Sequence, residues 1–471
     1  MTVSAHLSCI VAALAEDVVP VVEGNERARS AVSSTLDVLR RLIVNAQPEY
    51  SAGIGAAAAS LGLSDPPPSK HGEQMLDTPD EYLGGEAFVA QADRAAAAIT
   101  KDMKPTDFVK LTPVVEWENE GLARAESRWE ALRRPPPKDN NEAELRISSE
   151  RLLAYLCDRF PDASNLALTE FRQLAGGRSK QTALFRVSGL AEIPEVLVIR
   201  RDHPIGITKA SVVDEFPLLT KLHAAGLAVA QPHLVEPSKE HLGGAFMISS
   251  AVEGRSAGEL FEPRHSVRLA RALAIQVARL HAQPLDEFVA LSPIYTVPGL
   301  QAYESQLQGF EEMWDRCEGP SSPSMRTAFA WLKKNLELTG GNSTLIHGDL
   351  GFHNVLADGD RFHALLDWEF TRSGNPAEDL GYLRPTIEQM MDWSDWMGDY
   401  RAAGGANIAE EQVDYFAMWS AVRLGSLVAY ARMLVNSGAL LDVAFALSSA
   451  VDMNRIRKRV TDGLRRTLAL K

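Results

Sequence analysis

The 471-residue sequence has only three cysteines, Cys9, Cys157 and Cys317, far apart and in no metal-ligand spacing. So few exclude a disulfide framework or a zinc cluster and suit a reducing compartment. Long apolar runs are missing too, and no stretch approaches the length of a membrane span. The N-terminus has no basic leader, and Glu16-Asp17 interrupts its apolar run, so no secretory signal is expected. Positive charge is in deficit: the formal net charge is -14 and no basic patch stands out, which argues against nucleic acid as a partner. These absences predict a cytoplasmic protein with neither a membrane nor a nucleic-acid partner. The rest of the composition is ordinary for a globular chain, with 45% hydrophobic and 23% charged residues. The length suggests roughly two or three domains.

Proline and glycine mark the organisation. Residues 1–45 carry apolar side chains at helical spacing, and further helical blocks are expected over 85–102 and 114–133, after a Gly/Ala/Ser-rich loop. The stretch 134–141, RPPPKDNN, reads as an extended linker. A helical accessory domain is therefore expected over 1–133 and a linker over 134–146. The accessory domain carries no nucleophile, ligand cluster or glycine fingerprint, so by itself it is silent about function.

The stretch with chemistry in it runs over 345–380, LIHGDLGFHNVLADGDRFHALLDWEFTRSGNPAEDL. Asp349 follows His347-Gly348, Asn354 lies five residues after it, and Asp367 closes the apolar strand expected over 362–366. The kinase catalytic loop has the same layout: an Asp that takes the hydroxyl proton, an Asn that holds magnesium, and a second magnesium-binding Asp after the next strand. Any one of these residues alone would read as a loop residue satisfying its own backbone. Their joint spacing points to phosphoryl transfer.

Upstream, the turn 174–182, LAGGRSKQT, resembles a phosphate-covering loop, with Gly176 and Gly177 allowing close backbone approach and Ser179 donating to an anion. The strand 195–200 ends in Arg200, where kinases carry a phosphate-holding lysine; Arg201 points to the opposite face and competes for the role. Glu215, in a helix expected over 211–224, is the natural ion-pair partner. The apolar strand 244–248 leads to a hinge containing Ser250, whose backbone would read an adenine edge. Helices over 267–282, 302–317 and 326–338 complete the order of a two-lobed kinase.

HGDLGFHN, LLDWEF and GNPAEDL resemble the aminoglycoside phosphotransferase and choline kinase family, over about residues 150–460. The resemblance implies an α+β, two-lobed protein-kinase-like fold, here preceded by a small all-α domain, with the N-lobe over 147–250 and a mostly helical C-lobe over 251–471. It also implies phosphorylation of a hydroxyl by ATP with Mg2+. Asp349 would then be the catalytic base, Asn354 and Asp367 the metal ligands, His347 an orienting residue and Asp379 a structural one. Arg200 in place of lysine is a departure shared with a subgroup linked to acyl-CoA dehydrogenases, and its forked guanidinium can keep the role. The N-terminal VVPVVEGNERARSAVSSTLDVLRRL is similar to the small helical companion of a hydroxyacyl-CoA kinase, which would make the chain a fusion of the two.

The substrate is less legible. Met390, Met391, Trp393, Trp396 and Met397 read either as a wall for an acyl group or as an ordinary core helix. Tyr415, Trp419, Arg423 and Tyr430 form one helical stripe, from which Arg423 would meet an anion. The acids Glu388, Asp392, Asp395, Asp399, Glu410 and Glu411 fall on faces expected to be solvated rather than in the acidic pocket that a polycationic sugar needs. A hydroxy acid or hydroxyacyl-CoA is therefore the expected substrate. The alternatives are an aminoglycoside or macrolide antibiotic and, in another class, a nucleotide-binding pseudokinase scaffold.

Overall fold

The computed structural model describes residues 54–63, 91–101, 103–132, 147–163, 165–174, 180–190, 193–202, 210–263, 266–317, 322–436 and 443–469, together with Val32, Thr35 and Leu36. Most of the helices expected over 1–45, the proline linker and the turn carrying Gly176, Gly177 and Ser179 lie outside these residues. The chain forms two compact units, one comprising Asp139–Val297 and Asn342–Ile408, the other Met1–Lys138, Pro298–Gly341 and Ala409–Lys471. Among the described residues no helix is long and apolar enough to cross a membrane.

The first unit opens on helix α1, Ser149–Arg159, which starts there because the Ser148 hydroxyl accepts the Arg151 amide. Strands β1 (Ala167–Leu174), β2 (Lys180–Ser188), β3 (Val196–Asp202), β4 (Pro232–Glu236) and β5 (Phe246–Ser250) make an antiparallel sheet in the order β1-β2-β3-β5-β4. Strand alternation sorts the residues of β3: Leu197, Ile199 and Arg201 are buried, while Val198, Arg200 and Asp202 take the other face. Phe185, Val187, Leu197, Ile199, Phe246 and Ile248 pack with Leu152, Tyr155 and Leu156 of α1. The β2–β3 register pairs Thr182 with Arg200 and Lys180 with Asp202, so Lys180 shares the face of Arg200. Helix α2, Val212–Ala224, follows β3 and begins with a capping box between Ser211 and Asp214.

The remainder of this unit holds β6 (Arg255–Ser256), α3 (Val267–His281), β7 (Thr344–Ile346), β8 (Val355–Asp358), β9 (Arg361–Leu365), β10 (Arg372–Gly374), α4 (Ala377–Ile387) and α5 (Trp393–Ala402). Strands β6, β8 and β9 form one small sheet, and β7 pairs with β10. The stretch 345–380 thus runs from β7 into the β8–β9 hairpin and returns along β10. Helix α5 packs on α3, with the Trp396 indole donating to the Ala270 carbonyl at 2.8 Å and stacking on Trp393 at 5.2 Å. Trp393, Trp396 and Met397 are all buried, so these three residues are core and not a wall for a ligand. Three of the acids have structural partners: Asp392 caps α5 through the Ser394 amide (2.8 Å), Asp399 pairs with Arg271 (2.7 Å) and Glu388 with Arg384 (2.8 Å).

All described elements of the second unit are helical. They include Ile54–Ser60, residues 91–100, Thr112–Leu132, Leu300–Arg316, Pro323–Lys334, Glu410–Asn436 and Val443–Ala469, with 3-10 turns at Pro105–Leu111 and Leu336–Thr339. Helices expected within the C-terminal lobe therefore group with the N-terminal helices. Ala57, Ala58, Ala92 and Ala96 let helices approach closely around Leu111, Val114 and Trp117. Glu118 is buried, accepting the Ser324 amide at 2.7 Å and pairing with Arg457 at 2.7 Å. Tyr415 and Trp419 are also buried, and Tyr415 donates to the Leu332 carbonyl at 3.2 Å, so this part of the expected stripe is packing.

Candidate active site

The loop after β7 depends on a glycine. Gly348 has φ +79, and a Cβ there would stand 2.5 Å from the Phe370 carbonyl oxygen. His347 beside it is fully buried. Its Nε2 lies 2.9 Å from the Leu366 carbonyl oxygen, its Nδ1 accepts the Asp349 amide at 3.3 Å, and its ring sits 4.6 Å from that of Trp368. This pattern requires a neutral imidazole with its proton on Nε2. Burial drives the pKa of His347 down, against the pull of the Asp379 and Asp349 carboxylates.

A pH dependence follows. Since the folded pKa lies below 6.5, the contribution of neutral His347 to stability is complete above that pH. It is lost as the pH falls towards the folded value, because the unfolded chain takes up a proton that the folded chain refuses. Thermal melts at about pH 7 and about pH 5.5 should show a drop in Tm that is shallower in His347→Gln. An equally steep drop in the variant would assign the dependence to other groups.

The Asn354 amide nitrogen donates to the Asp349 carbonyl (2.9 Å) and to its Oδ2 (3.1 Å). These bonds fix the Asp349 carboxylate and turn the Asn354 Oδ1 away from it. His353 Nε2 stands 3.4 Å from the same Oδ2. The Leu366 amide donates to the Asn354 carbonyl at 2.8 Å, and Val355 pairs with Leu365, so the hairpin brings Asp367 beside Asn354.

Asp367 adopts φ +62, a left-handed conformation that few non-glycine residues take. Its Oδ1 accepts Arg200 Nη2 at 2.9 Å, while Arg200 Nη1 reaches Glu215 Oε2 at 2.7 Å. Burial works against the Arg200 cation, but the carboxylates of Glu215, Asp367 and Glu369 outweigh it and hold its pKa above the ordinary value. Of the two competing arginines, Arg200 is the one on this face. Arg201 lies on the core face and donates to the Leu242 carbonyl and to Gln181. Among the described residues, the buried Glu215 Oε1 has no hydrogen-bond partner.

Three residues of the surroundings, Lys180, His281 and Tyr400, escaped sequence reasoning; Asp379, which His281 meets, was expected as structural. Lys180, buried at the start of β2, contacts Glu369 (3.5 Å) and Asp202 (3.3 Å) and donates to the Ala210 carbonyl. Asp379 accepts the His347 amide (2.8 Å), the Gly348 amide (2.9 Å) and His281 Nε2 (3.1 Å). His281 Nδ1 in turn lies 2.9 Å from the Tyr400 hydroxyl. Burial raises the Asp379 pKa, and the hydrogen bond and charge of His281 with those of His347 more than reverse it, leaving an ionised carboxylate under the loop. Lys180 was hidden inside the expected turn 174–182, and a lone histidine on an apolar helix carries no signal. Ser250 is engaged by the sheet: its amide donates to the Gln231 carbonyl (2.9 Å) and its hydroxyl lies 2.8 Å from His233 Nε2. Gly176, Gly177 and Ser179 fall outside the described residues.

Among the described residues, no three His, Cys, Asp or Glu side chains converge as a metal cage. Magnesium does not require one, since it commonly takes one or two protein oxygens and completes its shell with phosphate and water. The donor set fits that pattern: the Asn354 amide oxygen, whose amide nitrogen is the atom bonded to Asp349, and an Asp367 carboxylate with one oxygen engaged by Arg200.

The sheet, the β8–β9 hairpin and the Asp349 loop are those of a kinase-like phosphotransferase, an α+β fold as expected. The chain belongs to the phosphotransferase enzyme family, whose model matches residues 170–423. It is 29% identical over 248 residues to acyl-CoA dehydrogenase family member 11 of Gallus gallus, a match covering 50% of this chain and 30% of that protein. The Homo sapiens protein of the same name is 25% identical over 286 residues, covering 58% and 35%. The chain therefore spans well under half the length of these relatives. A solved structure from Ralstonia eutropha, assigned as an aminoglycoside phosphotransferase, superposes with TM-score 0.51 at 19% identity, covering 68% of this chain and 99% of that one. That likeness supports the fold.

Proposed function

We propose that this protein transfers the γ-phosphoryl group of ATP, with Mg2+, to the hydroxyl of a small hydroxy acid or hydroxyacyl-CoA. The observation that carries the chemistry is the Asp349 carboxylate fixed by Asn354 and set beside an Asp367 paired with Arg200. Asp349 orients the acceptor hydroxyl and takes its proton as the phosphoryl group moves across. Arg200, held by Glu215, binds the nucleotide phosphates. Asn354 and Asp367 would hold the metal, which would supply charge neutralisation for the transferred phosphoryl group. Gly176, Gly177 and Ser179 cover the phosphates, and the chain around Ser250 borders the base. His347 positions the loop.

Support for an acyl substrate comes from relatives named for acyl-CoA dehydrogenation. Against a polycationic antibiotic, Asp392, Asp399 and Glu388 are tied up in caps and ion pairs. The test is ADP release with Mg2+ and ATP over hydroxyacyl-CoAs, free hydroxy acids, aminoglycosides, macrolides and choline, with Asp349→Ala as blank. Turnover on a hydroxyacyl-CoA or hydroxy acid that vanishes in the blank is expected. Turnover confined to an antibiotic would reassign the substrate, and nucleotide binding without turnover on any acceptor would favour a pseudokinase scaffold.

A further inference from the structure

We propose that Lys180 is a positioning residue for the metal: it braces Glu369, and through it the turn that presents Asp367, against the end of β3 and the start of α2. This rests on the assignment of Asp367 as a metal ligand.

The Asp367 turn needs external support. Its left-handed backbone is unfavourable for a non-glycine residue, so neighbouring contacts must hold it. Trp368 supplies one, its indole donating to the Leu365 carbonyl at 3.1 Å with the ring against His347. Arg200 supplies a second, but Arg200 is also the residue proposed to bind phosphate, so its grip on Asp367 competes with that role. Lys180 supplies a third that does not compete, because its ammonium contacts Glu369 two residues beyond Asp367.

The other end of the brace is equally defined. The Lys180 side chain is 4% exposed and that of Glu369 5%, so the contact is sheltered from water and salt. The same ammonium contacts Asp202 at 3.3 Å. Asp202 accepts the Ser211 hydroxyl (2.6 Å) and the Val212 amide (3.0 Å), which anchors the first turn of the helix that carries Glu215. Lys180 thus links the anchor of the Glu215 helix, Asp202, to Glu369 in the turn of the metal ligand. Removing its charge leaves Glu369 without that cation and loosens Asp367, which weakens metal binding more than nucleotide binding.

The test compares binding of ADP with and without Mg2+ by calorimetry, using wild type, Lys180→Met, Lys180→Arg, Glu369→Gln, the Lys180→Met/Glu369→Gln pair and Asp367→Asn. Loss of an outer support should weaken Mg2+-dependent ADP binding about tenfold in Lys180→Met and leave metal-free ADP binding within about twofold. Glu369→Gln should match it, the pair should be no worse than either single variant, and Lys180→Arg should recover part of the loss. Metal-dependent binding within about twofold of wild type in Lys180→Met, an equal loss without metal, or additive losses in the pair would each overturn the proposal. If Lys180→Met does not fold, Glu369→Gln and Lys180→Arg give the same comparison. Asp367→Asn separates the two failures: unchanged Mg2+-dependent binding there removes the metal assignment itself.

Discussion

Asp367→Asn should lower Mg2+-dependent turnover by about a thousandfold or more and leave the protein folded. The size follows from what the carboxylate does: phosphoryl transfer relies on positioning and charge neutralisation, and a misplaced metal removes both. The survival of the fold follows from the local structure. The Asp367 side chain is 32% exposed, and Arg200 keeps Glu215 at 2.7 Å when Asp367 loses its charge. Asparagine also tolerates the left-handed backbone at φ +62, whereas alanine adds strain there and so confounds the comparison. The measurement is kcat with Mg2+ beside a thermal melt. A folded Asp367→Asn with turnover within about tenfold of wild type would remove Asp367 from the metal site.

Asp379→Ala should act on stability, costing about 3–5 kcal/mol. The carboxylate is 1% exposed and holds the His347 and Gly348 amides together with His281. Its removal leaves two buried N–H groups and an imidazole without their acceptor, which is far more costly than losing one hydrogen bond. Because the folded Asp379 is more acidic than an ordinary aspartate, its contribution is present above the ordinary aspartate range and is lost as the pH falls through the folded pKa. Thermal melts near neutral pH should show a fall in Tm of roughly 10 °C, with Asp379→Asn intermediate because its amide oxygen still accepts. A fall of less than about 2 °C would mean that the loop is held from elsewhere.

Much of this site was legible because the kinase layout fixes separations along the chain. Asp349, Asn354 and Asp367 lie within one hairpin, so their spacing survives translation into space: the Leu366 amide bonds back to the Asn354 carbonyl as a short hairpin dictates. Strand alternation could place Arg200 and Arg201 on opposite faces, but only the packed sheet shows which face meets Glu215. Contacts between distant segments left no local trace. His281 and Asp379 are 98 residues apart, and Lys180 and Glu369 meet only after both strands and the hairpin have formed. The Met/Trp cluster over 390–397 illustrates the converse, since apolar residues at helical spacing cannot distinguish a ligand wall from a core. The indole of Trp396, bonded to Ala270, decides for core.

Phosphorus-31 NMR of the product is the most direct test of the central claim. Wild type with Mg2+, ATP and the hydroxylated acceptor selected by ADP release should yield a new phosphate monoester on the acceptor in step with ADP, and Asp349→Ala should yield neither. ADP with inorganic phosphate and no ester, or an ester formed at an undiminished rate by Asp349→Ala, would contradict the account.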